Sequence, residues 1–351
     1  MRVLAFCLFV EFFKESRDFK LRVLITGAAG FIGSHLYRKL CELNIQAYGI
    51  DNFSNYYSLD YKKARVIELN LENKIGICDI ANYEQINSVV HDFRPSYVIN
   101  LAAQAGVRLA IDQSDLYIEA NVRGFQNIIR ASLNNNVKGI LYASSSSVYG
   151  DASPTPYMEN TFSLRPKSIY GVTKLTNEIF AEIQSRSSKL RFRGLRYFTV
   201  YGPWGRPDMA YFRISAASLG QGQFTLFGDG TTKRDFTYID DVVDSTISLL
   251  NDLSLREESF NDVINIGGSR PLEMNYLIDL MSKSGDCPLN INKSKENVLD
   301  SRVTMADKSR LESIVGVMNF TTLECGVKNV MDWAKQDSIR PNLLNWIQST
   351  I

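Results

Sequence analysis

Leu21-Arg22-Val23-Leu24-Ile25-Thr26 runs directly into Gly27-Ala28-Ala29-Gly30-Phe31-Ile32-Gly33, and this junction decides the fold. The apolar run reads as a strand buried on both faces. The glycines read as a tight turn, and apolar residues at Leu36, Leu40 and Leu43 predict a helix after it. A second strand, Ala47-Tyr48-Gly49-Ile50, ends in Asp51. This is a βαβ unit of the kind that holds a dinucleotide. The glycines let the backbone come close to a pyrophosphate, which the N–H groups at the helix start can bind. Asp51, 24 residues after Gly27, can accept hydrogen bonds from ribose hydroxyls and would repel a 2′-phosphate. The expected cofactor is therefore NAD rather than NADP. A glycine turn needed only for helix–strand packing is the alternative, and Asp51 argues against it.

The α/β rhythm continues outward from this unit. Lys74–Ile80 reads as a third strand, followed by a helix through Ile86, Val89 and Val90. Tyr97–Ala103 reads as a fourth strand with small residues at its end, and Ile118–Leu133 as a helix containing Asn121. Gly139–Ala143 reads as a fifth strand that ends in Ser144, Ser145, Ser146 and Ser147. The expected fold class is α/β, a doubly wound parallel sheet. In such sheets ligands lie beyond the C-terminal strand ends, which gives the serine run a functional reading beside that of a flexible turn. After residue 200 the rhythm becomes irregular. Phe212–Leu219 and Val242–Leu250 read as helices, and Gln223–Gly230 and Val263–Gly268 as strand segments.

Ser168-Ile169-Tyr170-Gly171-Val172-Thr173-Lys174 places a phenol and an ammonium at helical i, i+4 spacing, on one face. A phenol with a pKa of about 10 is a poor base at neutral pH. A nearby positive charge favours the phenolate, so the pair can act as a general base or acid. Taken alone, the pair is weak evidence and reads more readily as a packed tyrosine and a solvated lysine on an amphipathic helix.

With 39 basic and 38 acidic residues in 351, the formal net charge is +1, which gives no support for a nucleic-acid partner. The five cysteines, Cys7, Cys41, Cys78, Cys287 and Cys325, are scattered without metal or disulfide spacing. A reducing cytoplasm is the expected location, and no metal is expected with only His35 and His91. Residues 1–20 carry an apolar run, Val3–Val10, that superficially resembles a signal peptide. It lacks a small-residue cleavage site, is interrupted by Glu11 and Lys14, and is too short to span a bilayer. It reads as an N-terminal extension, and no membrane association is expected.

Together, the Gly27–Gly33 turn, Asp51, the serine run, Tyr170 and Lys174 resemble the extended short-chain dehydrogenase/reductases. Three longer stretches, Leu101–Arg108, Arg196–Ala210 and Lys233–Asp241, are similar to the UDP-glucuronate 4-epimerases among the nucleotide-sugar epimerases. The resemblance runs from about residue 21 to the C-terminus and is strongest between about 100 and 245. It implies Tyr170, Lys174 and Ser145 as catalytic residues. Around NAD it implies Gly27, Gly30, Phe31, Ile32, Gly33, Asp51, Asn52, Asp79, Ile80, Leu101, Ala102, Ala103, Asn121, Tyr170, Lys174 and Tyr197. Around a UDP-sugar it implies Ser145, Ser146, Ser147, Tyr170, Thr199, Arg206, Phe227, Arg234 and Asp300. Lys174 would lower the tyrosine pKa and bind the nicotinamide ribose.

In the related 4,6-dehydratases Asp and Glu stand at the positions of Ser146 and Ser147, so dehydration is not expected. Serine hydroxyls can instead donate to a substrate carboxylate, with Thr199 and Arg206 nearby. The implied reaction is UDP-glucuronate to UDP-galacturonate through a 4-keto sugar. Alternatives are a 4-epimerase of UDP-glucose or of an N-acetylated or uronic UDP-sugar, a UDP-glucuronate decarboxylase, and a non-catalytic NAD-binding scaffold. Arg234 resembles a pyrophosphate-binding arginine, against a surface ion pair with Asp235 or Asp240. The stretch Glu296–Asp300 departs from the family, lacking its arginine and glycine. The resemblance also implies a nucleotide domain at 21–200 plus 234–270 and a substrate domain at 201–233 plus 271–351. It implies a homodimer through helices near Tyr117–Leu133 and Ser168–Ser187.

Overall fold

The computed structural model describes residues 21–106, 113–151, 153–296 and 301–350. The N-terminal extension, Val107 and Arg108, and Asp300 therefore lie outside the described residues.

The first half alternates strand and helix. In order come β1 (Arg22–Thr26), α1 (Phe31–Glu42), β2 (Gln46–Asp51), α2 (Leu59–Glu68), β3 (Ile75–Ile77), α3 (Tyr83–Phe93) and β4 (Tyr97–Asn100). Then follow α4 (Ser114–Tyr117), a π-helical turn (Ile118–Arg123), α5 (Gly124–Asn134), β5 (Gly139–Ser145), α6 (Ile169–Ser187) and β6 (Arg191–Tyr197). Short polar side chains start several helices. Ser58, Asn82 and Ser168 each accept a backbone N–H of the first turn, at Tyr61, Gln85 and Gly171.

The main sheet has seven strands in the order β10-β6-β5-β4-β1-β2-β3, where β10 is Asn261–Ile266. Every pairing in it is parallel. Strand order reverses between β1 and β4, which opens a crevice beyond their C-terminal ends. One face carries Leu36 and Leu40 of α1 with Val242 and Ile247 of α8 (Ile239–Ser254). The other carries Ile86 and Val90 of α3, Phe125 and Ile128 of α5, and Ala181 of α6.

The remaining chain forms β7 (Thr199–Tyr201), α7 (Ala210–Ser218), β8 (Phe224–Phe227), β9 (Lys233–Tyr238), β11 (Pro271–Glu273), α9 (Met274–Ser284), β12 (Ile291–Ser294), α10 (Ser309–Val315), α11 (Leu323–Ala334) and α12 (Leu343–Gln348). β9 joins β7 and β11 in a separate three-stranded sheet, and β8 pairs with β12.

Several boundaries differ from the sequence reading. The third strand shortens to Ile75–Ile77, because Asp79 turns the chain by accepting from Ala81 N at 2.8 Å. The fourth stops at Asn100, whose side chain accepts from Thr26 Oγ1 at 2.6 Å while Ala102 N donates to the same hydroxyl at 3.1 Å. The fifth extends through Ser145, which pairs in register with Tyr197. Helix α2 was not expected at all.

Candidate active site

Chemistry-bearing side chains gather at the C-terminal ends of β1, β2, β4 and β5. Gly27 has φ +70°, and a Cβ there would lie 2.7 Å from Ala102 N. A Cβ on Gly33 would stand 2.1 Å from the Gly27 carbonyl oxygen, so only glycine lets α1 close on the turn. No side chain caps α1 and no acid lies in its first turn, which leaves its positive end for an anion. Asp51 is buried and accepts from Ala29 N at 3.1 Å and from Phe53 N at 2.7 Å. Its neighbours at the strand ends are Asn52 and Asp79, joined at 3.3 Å, with Ile80 buried beside them. Phe31 is buried and Ile32 half-buried on α1, and Leu101, Ala102 and Ala103 are half-buried after β4. This cradle fits a dinucleotide pyrophosphate and its adenosine ribose.

Ser145 ends β5. Its hydroxyl accepts from Ser147 N and donates to Ser147 Oγ, both at 3.1 Å. Ser168 caps α6, which places Tyr170 in its first turn. Burial raises the Tyr170 phenol above its usual range, while the Arg206 charge and a hydrogen bond from Ser145 pull it back. Lys174 is 2% exposed, and burial alone lowers its ammonium to about 8. Its Nζ lies 5.6 Å from the Tyr170 ring centre. Arg206 therefore adds a charge that favours the phenolate, and the Lys174 ammonium stands over the ring.

Asn121 lies in the π-helical turn and is buried. It accepts from Gln104 N at 2.8 Å and donates to Gln104 O at 3.1 Å and Thr173 Oγ1 at 3.0 Å. Thr173 in turn donates to the Tyr170 carbonyl at 2.8 Å. Asn121 thus ties the loop after β4 to the tyrosine helix. Behind the helix, Glu178 takes Arg196 through two bonds at 2.9 and 2.7 Å and accepts from Ser144 Oγ at 2.5 Å. The Tyr197 phenol meets Thr246 of α8 at 3.1 Å.

On the sugar side, Thr199 opens β7 and is half-buried, as are Ser146 and Ser147. Arg206 grips Asp208 through Nε at 2.9 Å and Nη2 at 2.5 Å, and Tyr56 OH donates to the same carboxylate at 3.3 Å. Burial would raise the Asp208 carboxyl, but the Arg206 charge and hydrogen bonds hold it below the usual range. Phe227 ends β8, and Arg234 on β9 donates to the Lys233 carbonyl at 3.1 Å. The Asp235 carboxylate accepts from Gly268 N, Ser269 N and Ala306 N, and Asp240 faces Arg38 and Lys39. Backbone amides, rather than Arg234, therefore satisfy Asp235. A cavity of about 500 Å³, lined by residues that include Gly228, Thr231, Glu296 and Arg302, opens at the end of β8.

Sequence reasoning missed Tyr56, Asp208, Glu178 and Arg302. Arg302 lies two residues beyond the stretch in which an arginine was sought.

Comparison with known proteins agrees with this geometry. The profile of the NAD dependent epimerase/dehydratase family matches residues 23–267. The chain is 34% identical to a UDP-glucuronate 4-epimerase of Thermodesulfobacterium geofontis, over 90% of this chain and 96% of that one. It is also 34% identical to Protein CapI of Staphylococcus aureus, over 89% and 98%. Among solved structures, UDP-glucuronic acid 4-epimerase from Bacillus cereus in complex with UDP-glucuronic acid and NAD superposes with a TM-score of 0.81 at 32% identity, covering 90% of this chain and 99% of that one. The chain belongs to the NAD dependent epimerase/dehydratase family, as an extended short-chain dehydrogenase/reductase of the nucleotide-sugar epimerase type.

Proposed function

We propose that this protein interconverts UDP-glucuronate and UDP-galacturonate by NAD-dependent epimerisation at C4. The observation that carries the reading is the convergence of Ser145, Tyr170 and Lys174 with Arg206 acting on the same phenol. Tyr170 takes the proton of the C4 hydroxyl, and Ser145 orients that oxygen and shares the proton. NAD+, which the glycine turn and Asp51 would hold, would supply the acceptor for the C4 hydride and the means of its return to the opposite face. Tyr170 then gives its proton back, so no net oxidation occurs.

Lys174 is a buried ammonium whose depressed pKa reflects burial, which suits hydrogen bonding to the nicotinamide ribose. A 4-keto uronic acid is a β-keto acid and can lose CO2. Ser146, Ser147, Thr199 and Arg206 are the groups that would hold its carboxylate out of alignment with the carbonyl. Ser146 and Ser147 stand where an elimination would need carboxyl groups. Arg234, Phe227 and Arg302 would receive the uridine diphosphate end.

The nucleotide domain comprises 21–200 with 234–270, and the substrate domain 201–233 with 271–351. A homodimer is supported by exposed apolar residues at Leu116, Ile118, Val172, Ile179 and Ile183, on α4, the π-helical turn and α6. No helix among the described residues is long and apolar enough to cross a membrane. Cys41, Cys78, Cys287 and Cys325 are free thiols, which supports a cytoplasmic setting.

The test is incubation of purified protein with a panel of UDP-sugars and no added NAD+. UDP-glucuronate should yield UDP-galacturonate, and Tyr170→Phe should abolish this while nucleotide binding persists. Absence of product, or CO2 release in place of it, would overturn the assignment.

A further inference from the structure

Arg65 is a fully buried cation, and its hydrogen bonds run to the carbonyls of Ala29, Trp204 and Gly205 and to the phenols of Tyr57 and Tyr61. Its Nη1 donates to the Ala29 carbonyl at 2.7 Å and to Tyr57 OH at 2.9 Å. Its Nε donates to the Trp204 carbonyl at 2.9 Å, and Nη2 reaches the Gly205 carbonyl at 3.5 Å. Ala29 belongs to the glycine turn, and its own N–H is held by Asp51. Trp204 and Gly205 directly precede Arg206. One side chain on α2 therefore bridges the cofactor turn and the loop that carries the guanidinium acting on Tyr170.

The loop end of this bridge is unusual. Trp204 adopts φ +60°, a conformation that bulky residues avoid, so its surroundings must hold it there. Tyr61 contributes by donating to the Gly205 carbonyl at 2.5 Å and by packing its ring 5.5 Å from Trp204. Trp204 also packs against Trp333 and Trp346 at 5.4 and 6.0 Å. A buried charge held by carbonyls and phenols rather than by a carboxylate is costly, and packing alone would be served better by an apolar residue. The planar fork of arginine does what lysine cannot: it fixes several carbonyls from two distant segments at once.

We propose that Arg65 is a positioning residue that couples the two binding sites. Occupation of the glycine turn by NAD+ stiffens Ala29, and Arg65 passes that constraint to Trp204–Arg206. The Arg206 loop is thereby set for the UDP-sugar. Coupling of this kind is reciprocal, so each ligand raises the affinity for the other by the same factor. The proposal rests on the assignment of NAD+ and a UDP-sugar to these sites.

The test is calorimetric titration of the full-length protein, stripped of nucleotide, with NAD+ in the absence and presence of saturating UDP-glucuronate. The factor by which the sugar nucleotide raises NAD+ affinity should be about fivefold or more in the parent protein. It should fall to near one in Arg65→Lys, with a smaller fall in Tyr61→Phe. Each factor is a ratio within one variant, so lost stability cancels. If Arg65→Lys does not fold, Tyr61→Phe decides. A parent factor of one, or an unchanged factor in the variants that fold, would overturn the coupling role. The epimerase assay of the parent protein is read separately: failure there with coupling intact removes the reaction assignment and leaves Arg65 its role.

Discussion

Lys174 holds its ammonium over the face of Tyr170, 5.6 Å from the ring centre, and the Arg206 charge also favours the phenolate. The two cations thus approach one tyrosine from separate segments, Lys174 from α6 and Arg206 from the loop after β7. A substrate carboxylate that engages Arg206 would weaken that charge's hold on the phenolate, so substrate and base compete for one guanidinium.

That arrangement predicts a pH effect. Tyr170 must lose its proton to act as a base, and burial already raises it above its usual range. Removing the Arg206 charge in Arg206→Met should raise it further. The rising limb of kcat/KM against pH should shift to higher pH. An unshifted limb would mean that Arg206 does not reach the phenol.

Lys174 makes a prediction about stability. Folding lowers its pKa from 10.5 to about 8. Between those values the unfolded chain binds more protons than the folded one, so stability should rise with pH across this window. At about 1.4 kcal/mol per unit, the buried charge costs about 3 kcal/mol below pH 8. Lys174→Met should therefore make the cofactor-free protein more stable at pH 7 in urea unfolding, with a smaller gain at pH 9, while turnover is lost. A destabilised variant would contradict an uncompensated ammonium.

Gly33→Ala tests the cofactor turn. Its methyl would meet the Gly27 carbonyl at 2.1 Å, against backbone that cannot swing away. NAD+ affinity should fall by at least about tenfold, equivalent to about 1.4 kcal/mol. Retained affinity by calorimetry would show that the turn tolerates a wider approach of α1.

Glu178→Gln tests the support behind the tyrosine helix. It leaves Arg196, 2% exposed, without its carboxylate. Breaking such a pair costs about 3–5 kcal/mol, whereas replacing both partners costs less. Unfolding in urea should show the single variant to be less stable than Glu178→Met combined with Arg196→Met. Equal losses would mean that the pair acts by shape alone.

The parts legible in the sequence are those where chemistry dictates residue type locally. The glycine turn needs residues without side chains, and the turn's partner acid closes the next strand. Tyr170 and Lys174 stand at helical spacing, which becomes informative beside the glycine turn, Asp51 and the serine run. Arg65 is not legible in this way, because nothing in Lys62-Lys63-Ala64-Arg65 marks one of its three cations for burial. Its burial comes from carbonyls at Trp204 and Gly205, roughly 140 residues away, which no local pattern encodes. Asp208 was hidden similarly, since its place against Tyr56 depends on a contact across 152 positions. The boundary of the serine run was not legible, because β6 draws Ser144 and Ser145 into the sheet.

The wide turn at Ile118–Arg123 amounts to a surplus residue folded into an otherwise regular helix. Excising one residue there would let the segment relax into a better helix. It would also rotate Asn121 by about 100°, the angular step of one residue, away from both Gln104 and Thr173. The chain therefore keeps a blemished helix as the fixture that aligns two neighbouring segments. A sequence-design procedure that rewards helical regularity would erase that fixture while scoring the change as an improvement.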